Sequence, residues 1–185
     1  MLGVGAHGLV SSRDHFEEEN LEELLVVPTE ERIFAIGEAL RKGWSVERIH
    51  QLTHITPWFI ERVGEVVRCQ QEIREFDLAS LSADLLRKSK ELGFSDNQIS
   101  RALKRTEPIE PGYGASLEVR DRREELGIRP VVKQIDTLAA EYPAQTNFLY
   151  MTYNGSEDDV ESKDPAPYVV LGGGAYRIGS SVEFD

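Results

Sequence analysis

Residues 42–52, KGWSVERIHQL, and residues 92–102, LGFSDNQISRA, share one grammar along the chain. Gly43 and Gly93 stand where a helix stops, because glycine enters the left-handed conformation without a Cβ penalty. Trp44 and Phe94 follow, Ser45 and Ser95 can cap a new helix, and Ile49 and Ile99 give that helix an apolar anchor. Ser95 and Gln98 also have the S-x-x-Q spacing of a capping box. The stretch reads as helix, glycine stop and capped helix, used twice, with PIEPGYGA (108–115) interrupting the second copy. Two copies are too few for a solenoid.

Working outward, the pattern is helical from Thr29 to about Leu126. PTEERIFAIGEALRKG (28–43) offers Thr29 as N-cap, Glu30 and Glu31 in the first turn, and Ile33, Ile36 and Leu40 as one apolar stripe. A short helix capped by Ser45 carries Val46, Ile49 and Leu52. Thr56-Pro57 then opens a third, with proline at the first position, where its missing N–H costs nothing. That helix, PWFIERVGEVVRCQQEIREF (57–76), presents Phe59, Val63, Val66 and Val67 at helical spacing. SADLLRKSKELG (82–93), capped by Ser82, and SLEVRDRREELG (116–127) complete the series. Before it, the segment to Pro28 reads as a tail with one short helix around Phe16–Leu25, its FEEENLEELL run a solvated face.

The character changes after Gly127. PVVKQID (130–136) and NFLYMTY (147–153) are rich in β-branched and aromatic residues and read as extended segments around a short TLAAEYP connection. NGSEDDVESKDPAP (154–167) is polar and acidic and reads as a linker. YVVL (168–171) then reads as a strand turning into the glycine loop of GGGAYRIGSSVEFD (172–185). The expected organisation is a tail over 1–28, a mainly α, bundle-like domain with extended C-terminal segments over 29–153, a linker over 154–167, and the first strand and loop of a truncated α/β domain over 168–185. One strand and a loop cannot bury both faces, so 168–185 are expected to be loosely held.

Composition narrows the function classes. A net charge of −12 opposes broad contact with nucleic acid or anionic membranes. No apolar run approaches the roughly 20 residues of a membrane span, and the N-terminus lacks the basic and apolar regions of a signal peptide. A single cysteine, Cys69, precludes an intramolecular disulfide and a multi-cysteine zinc site. A cytoplasmic protein is expected.

The chemistry on offer is sparse. In the glycine loop Gly172, Gly173, Gly174 and Gly179, the first three could bring backbone N–H groups to an anion, although a tight strand-to-helix turn accounts for them better. The dinucleotide fingerprint needs glycine at 177, where Arg177 stands, and no G-K-[ST] follows for a P-loop. WSVERIHQLTHITPWFIERV (44–63) has the outline of a helix-turn-helix, yet its second helix opens on Pro57, Trp58, Phe59 and Ile60 instead of base-reading polar residues. His50 and His54 have i, i+4 spacing for a metal but no obvious third ligand, and Cys69 reads as a buried thiol. No catalytic, metal or cofactor-binding residue is assigned on spacing.

Three stretches carry a specific resemblance. VVKQIDTLAAEYPAQTNFLYMTY (131–153) resembles the signature of the synthetase chain of carbamoyl-phosphate synthase. YVVLGGGAYRIGSSVEFD (168–185) is similar to the opening of that chain's second, pre-ATP-grasp half, and ITPWFIERV (55–63) with GFSDNQIS (93–100) and the RDRREELG helix to the oligomerisation domain between the halves. PAQTNFLYMTYNG and YRIGSSVEFD look closer to the eukaryotic, glutamine-dependent enzymes of pyrimidine synthesis than to bacterial ones. PIEPGYGA departs from the family pattern.

The resemblance implies a piece of an enzyme that makes carbamoyl phosphate from bicarbonate, glutamine-derived ammonia and two ATP. ATP and Mg²⁺ or Mn²⁺ are then cofactors of the whole enzyme, held in ATP-grasp domains outside this stretch, so the isolated chain is expected to be inactive. It implies as partners the remaining synthetase domains, the glutaminase part and further copies of the chain, with no nucleic acid and no membrane. By the same resemblance Arg177 and Glu183 would lie along the tunnel that passes carbamate between active sites. Two other readings are a stand-alone helical interaction module and, more remotely, a helix-turn-helix DNA-binding domain.

Overall fold

The computed structural model describes residues 9, 16, 18–104, 114–143 and 148–160. Seven helices fill the first compact unit, residues 1–131 and 151–156. They are α1 (Glu18–Val26), α2 (Arg32–Arg41), α3 (Val46–Thr53), α4 (Pro57–Ile73), α5 (Ala83–Glu91), α6 (Asp96–Ala102) and α7 (Gly114–Glu125).

The glycine stops and serine caps govern how the helices alternate. Gly43 (φ 82°) and Gly93 (φ 90°) both take the left-handed conformation. At each, the glycine N–H donates three residues back and the aromatic N–H five residues back: Trp44 to Ala39 at 2.9 Å, Phe94 to Ser89 at 3.0 Å. Ser45 then accepts the Arg48 N–H and Ser82 the Leu85 N–H, both at 3.2 Å. Ser95 and Gln98 form the full reciprocal box, at 3.1 and 2.8 Å. A third stop of the same kind closes α7 where the helical pattern ends: Gly127 has φ 68°, and the Ile128 N–H donates to the Arg123 carbonyl at 2.7 Å.

Two cores share one long helix. The first gathers Leu21 and Leu25 of α1, Ala35, Ile36 and Ala39 of α2, Ile49 of α3 and Ile60 of α4. The second gathers Val67, Cys69 and Ile73 from the other half of α4 with Leu85, Leu86, Ile99, Val119 and Ile128. The seventeen residues of α4 span about 25 Å at 1.5 Å per residue, long enough to serve both.

Three local readings are corrected here. Thr29 does not cap α2, which starts at Arg32 after a Glu31 N-cap without a side-chain bond. Arg32 instead turns its guanidinium back onto the carbonyls of Val26 and Val27, at 2.6 and 3.3 Å, so the first turn serves the end of α1. The FEEENLEELL run is not wholly solvated, because Leu21 and Leu25 are fully buried. And α4 turns Ile60, Gly64 and Val67 inward, leaving Phe59 exposed. Gly64 lies on this inward stripe, where a Cβ would stand 3.9 Å from Leu40 Cδ1 of α2, an ordinary packing distance. The stripe that packs on α2 therefore runs through a glycine, which an apolar count passes over.

Among the described residues the second unit takes in 132–143, 148–150 and 157–160, and Val131, Met151 and Thr152 of its sheet fall in the first unit. Strands β1 (Val131–Gln134) and β2 (Leu149–Thr152) pair as a two-stranded sheet where extended segments are expected. Ile135, just past β1, donates its N–H to the carbonyl of Phe148, just before β2, at 2.8 Å, so the strands run antiparallel. In the connection, Ala139 and Ala140 have φ 53° and 61°. The Asp136 carboxylate holds them there by accepting the N–H groups of Leu138 and Ala140, at 2.9 and 2.6 Å. The start of the acidic stretch is not a free linker: Asp158 accepts the Val132 N–H and Asp159 the Gln134 N–H, at 2.6 and 3.0 Å.

Candidate interaction surface

The glycine-loop residues Gly172, Gly173, Gly174 and Gly179, and the pair Arg177 and Glu183, lie outside the described residues. The other sequence candidates can be located. His50 Nδ1 lies 2.7 Å from the carbonyl of Ile55, and His54 ends α3 with φ 57°, so both histidines take part in the α3–α4 turn. Among the described residues no three His, Cys, Asp or Glu side chains gather to hold a metal. Cys69 is fully buried, and burial pushes its thiol pKa up. No described helix is long and apolar enough to cross a membrane.

The helix-turn-helix outline is present as α3, a turn at His54 and α4, but its exposed start is aromatic. Trp58 and Phe59 are 56% and 58% exposed, and their rings meet edge to face with centroids 4.9 Å apart. The Arg62 guanidinium lies 5.5 Å from the Trp58 ring and is paired with Glu65 at 2.9 Å. Beside this pair a groove of about 380 Å³ opens between α2 and α4, its floor formed by Ile36, Ile60 and Val63 and its walls by Ile33, Ile55 and Phe59. Among the exposed large apolar side chains described in the helices, Ile33 and Phe59 line this groove and Trp58 packs on Phe59. Exposed apolar groups beside an apolar groove make this face a candidate contact surface.

Elsewhere in the first unit, polar groups serve the fold. Asp96 opens α6 and accepts Lys90 Nζ at 2.9 Å and Arg123 Nε at 3.1 Å. Lys90 also donates to the Phe94 carbonyl at 2.7 Å, and Arg123 to the Ile128 carbonyl at 3.3 Å. Tyr153 lies against both cations, 5.0 Å from Lys90 Nζ and 5.8 Å from Arg123 Cζ. Desolvation raises its phenol pKa, with Arg123 opposing. The two cations share one carboxylate and each adds a backbone carbonyl, which makes the cluster a brace for α5, α6 and α7.

The comparisons bear on the same helices. The family model described as "Carbamoyl-phosphate synthetase large chain, oligomerisation domain" matches residues 1–127, which takes in all seven. The chain belongs to this family. It is similar to the multifunctional protein ura1 of Schizosaccharomyces pombe, 49% identical over 161 residues, covering 87% of this chain and 7% of that protein. The mitochondrial arginine-specific carbamoyl phosphate synthase large chain of Neurospora crassa is 47% identical over 174 residues, 93% of this chain and 14% of that protein. The multifunctional protein CAD of Squalus acanthias is 45% identical over 174 residues, again 93% of this chain and 7% of that protein. This chain thus spans 7 to 14% of the length of these relatives.

Sequence reasoning had placed Phe59 and Ile33 on apolar stripes facing a core. The signal for the other outcome was Trp58 and Phe59 side by side at the start of α4. Neighbouring helix positions point about 100° apart and cannot both follow the stripe that Ile60, Gly64 and Val67 carry inward.

Proposed function

We propose that this chain is the oligomerisation and inter-domain scaffold of a glutamine-dependent carbamoyl-phosphate synthase serving pyrimidine biosynthesis in the cytoplasm. In this reading the whole enzyme makes carbamoyl phosphate from bicarbonate, glutamine-derived ammonia and two ATP. The ATP and divalent-metal sites then belong to the ATP-grasp domains of the larger polypeptide. The isolated chain then forms no carbamoyl phosphate, and its partners are the other synthetase domains, the glutaminase part and further copies of itself. Multifunctional proteins among the relatives support the pyrimidine assignment. A role in an arginine-specific synthase is the second reading, favoured by the Neurospora crassa large chain at 47% identity.

The observation that carries the scaffold reading is the apolar face of α2 and α4 in a chain of this family. Trp58 and Phe59 stand beside the groove, so a knob and a hole share one surface, as a two-fold contact between identical copies requires. Sedimentation velocity tests it: the wild-type chain should shift to a dimer or larger species with rising concentration. Phe59→Asp should stay monomeric while keeping the helical circular dichroism of the wild type. A wild-type chain monomeric throughout would contradict self-association, and a variant that still associates would move the contact elsewhere.

By the family resemblance, Arg177 and Glu183 would further line the passage for carbamate, where charged groups can hold an anion away from bulk water. Arg177→Ala in the complete enzyme should then uncouple ATP hydrolysis from carbamoyl phosphate formation. Unchanged coupling would remove the role.

A further inference from the structure

Antiparallel pairing fixes which side chains share each face of the β1–β2 hairpin. With Ile135 opposite Phe148, the alternation places Ile135, Phe148 and Tyr150 on one face and Leu149 and Met151 on the other. All five are exposed, Met151 by 71%. A two-stranded ribbon has too little area to cover either face itself, and apolar residues uncovered on both sides mark a missing neighbour.

The edges of the ribbon are not equivalent. The outer edge of β1 is closed: Asp158 accepts the Val132 N–H, Asp159 accepts the Gln134 N–H, and the Asp159 N–H donates to the Val132 carbonyl at 2.9 Å. Lys133 Nζ secures the clasp with a 2.7 Å bond to Asp159. Carboxylates seated on an edge exclude an added strand. On β2 the same alternation turns the backbone groups of Leu149 and Met151 away from β1, so the open approach is from that side.

What approaches can be narrowed by charge and by extent. Residues 131–160 contain one basic residue, Lys133, against Asp136, Glu141, Glu157, Asp158 and Asp159. Two copies meeting here would oppose like charges, which disfavours a second copy and favours an apolar surface rimmed by Lys or Arg. The oligomerisation model ends at residue 127, before β1, whereas a match covering 93% of this chain cannot stop before β2. The hairpin thus lies in a stretch that the larger synthase shares beyond the oligomerisation model, and that synthase has most of its length outside the match.

We infer that the β1–β2 hairpin is a docking face for a synthetase domain of the same polypeptide, one that presents an apolar surface with a basic rim along the β2 side. This inference rests on the synthase reading above. It is tested by replacing the matching segment of the Schizosaccharomyces pombe relative with this chain. Hydrogen exchange in the chimera is then compared with exchange in the isolated chain. Amides of 131–135 and 148–152 should exchange about a hundredfold more slowly in the chimera. Leu149→Asp with Met151→Asp should abolish that slowing while α5–α7 keep their protection. A chimera that makes carbamoyl phosphate but leaves hairpin exchange unchanged overturns the inference and spares the synthase reading. An inactive chimera counts against the synthase reading itself. Hairpin protection that appears in the isolated chain as its concentration rises would assign the face to a second copy, and the inference fails.

Discussion

The helices of residues 18–128 and the hairpin of residues 131–152 use apolar residues in opposite ways. In the helices and their connections Leu21, Leu25, Ile49, Ile60, Ile73, Leu86, Ile99 and Ile128 are fully buried, converging on the two cores. In the hairpin Ile135, Phe148, Leu149, Tyr150 and Met151 are exposed, and what order it has comes from carboxylates gripping backbone N–H groups. The contrast teaches that similar apolar density can mean a core or a contact, depending on whether local geometry lets side chains converge. The helices close on themselves and leave one apolar face over. The hairpin leaves nearly everything over.

The comparison breaks most readily at its extremes. Leu86→Ala should lower the unfolding free energy of the isolated chain by about 3 kcal/mol in urea denaturation, the cost of a cavity in a closed core. Met151→Ala should change it by less than about 0.5 kcal/mol, as at an exposed site. Equal losses would mean that the hairpin is already buried. Next comes Asp96→Ala, which strands Lys90 and Arg123 and should cost about 2 kcal/mol, less than for a wholly buried pair because Asp96 keeps some solvent contact. Asp96→Asn, which can still accept a bond from each cation, should recover part of the loss.

Smaller effects sharpen the picture. Ser95→Ala removes one arm of the capping box and should cost about 1 kcal/mol, with faster exchange at the start of α6. The hairpin clasp should respond to pH. Lys133, and then the Gln134 N–H, hold the Asp159 carboxyl below its usual range. The contribution of Asp159 is therefore complete above its unfolded pKa of about 4 and lost as pH falls through the lower folded value. The same bond raises the pKa of Lys133, whose contribution is complete below about 10.4 and lost as pH rises through the folded value. Protection at 132–134, measured against the intrinsic exchange rate at each pH, should thus fall in acid while α5 and α6 stay protected. An unchanged hairpin would show that the clasp does not order β1.

Much of the helical part was legible because its signals are local. Ser45, Ser82 and Ser95 cap the helices their sequences announce, and Gly43 and Gly93 end theirs with the same pair of backbone bonds. What escaped depends on distant partners. Thr29 lost the start of α2 because Arg32 answers to carbonyls of α1. Phe59 points outward because the inward stripe of α4 runs through Ile60, Gly64 and Val67, and a glycine does not register as an apolar position. The β1 edge is closed from Asp158 and Asp159, a stretch whose composition says only that it is polar. The candidate face was therefore invisible as a site, although each of its residues stood in plain view as an apolar position on a helix.

The most direct test of this division is hydrogen exchange on the isolated 185-residue chain, read segment by segment. Amides within α4 through α6 should exchange at the rate of global unfolding, and those of 132–135 and 148–151 at least about a hundredfold faster. Equal protection in the two regions would contradict the account, because the hairpin would then need no partner to complete it.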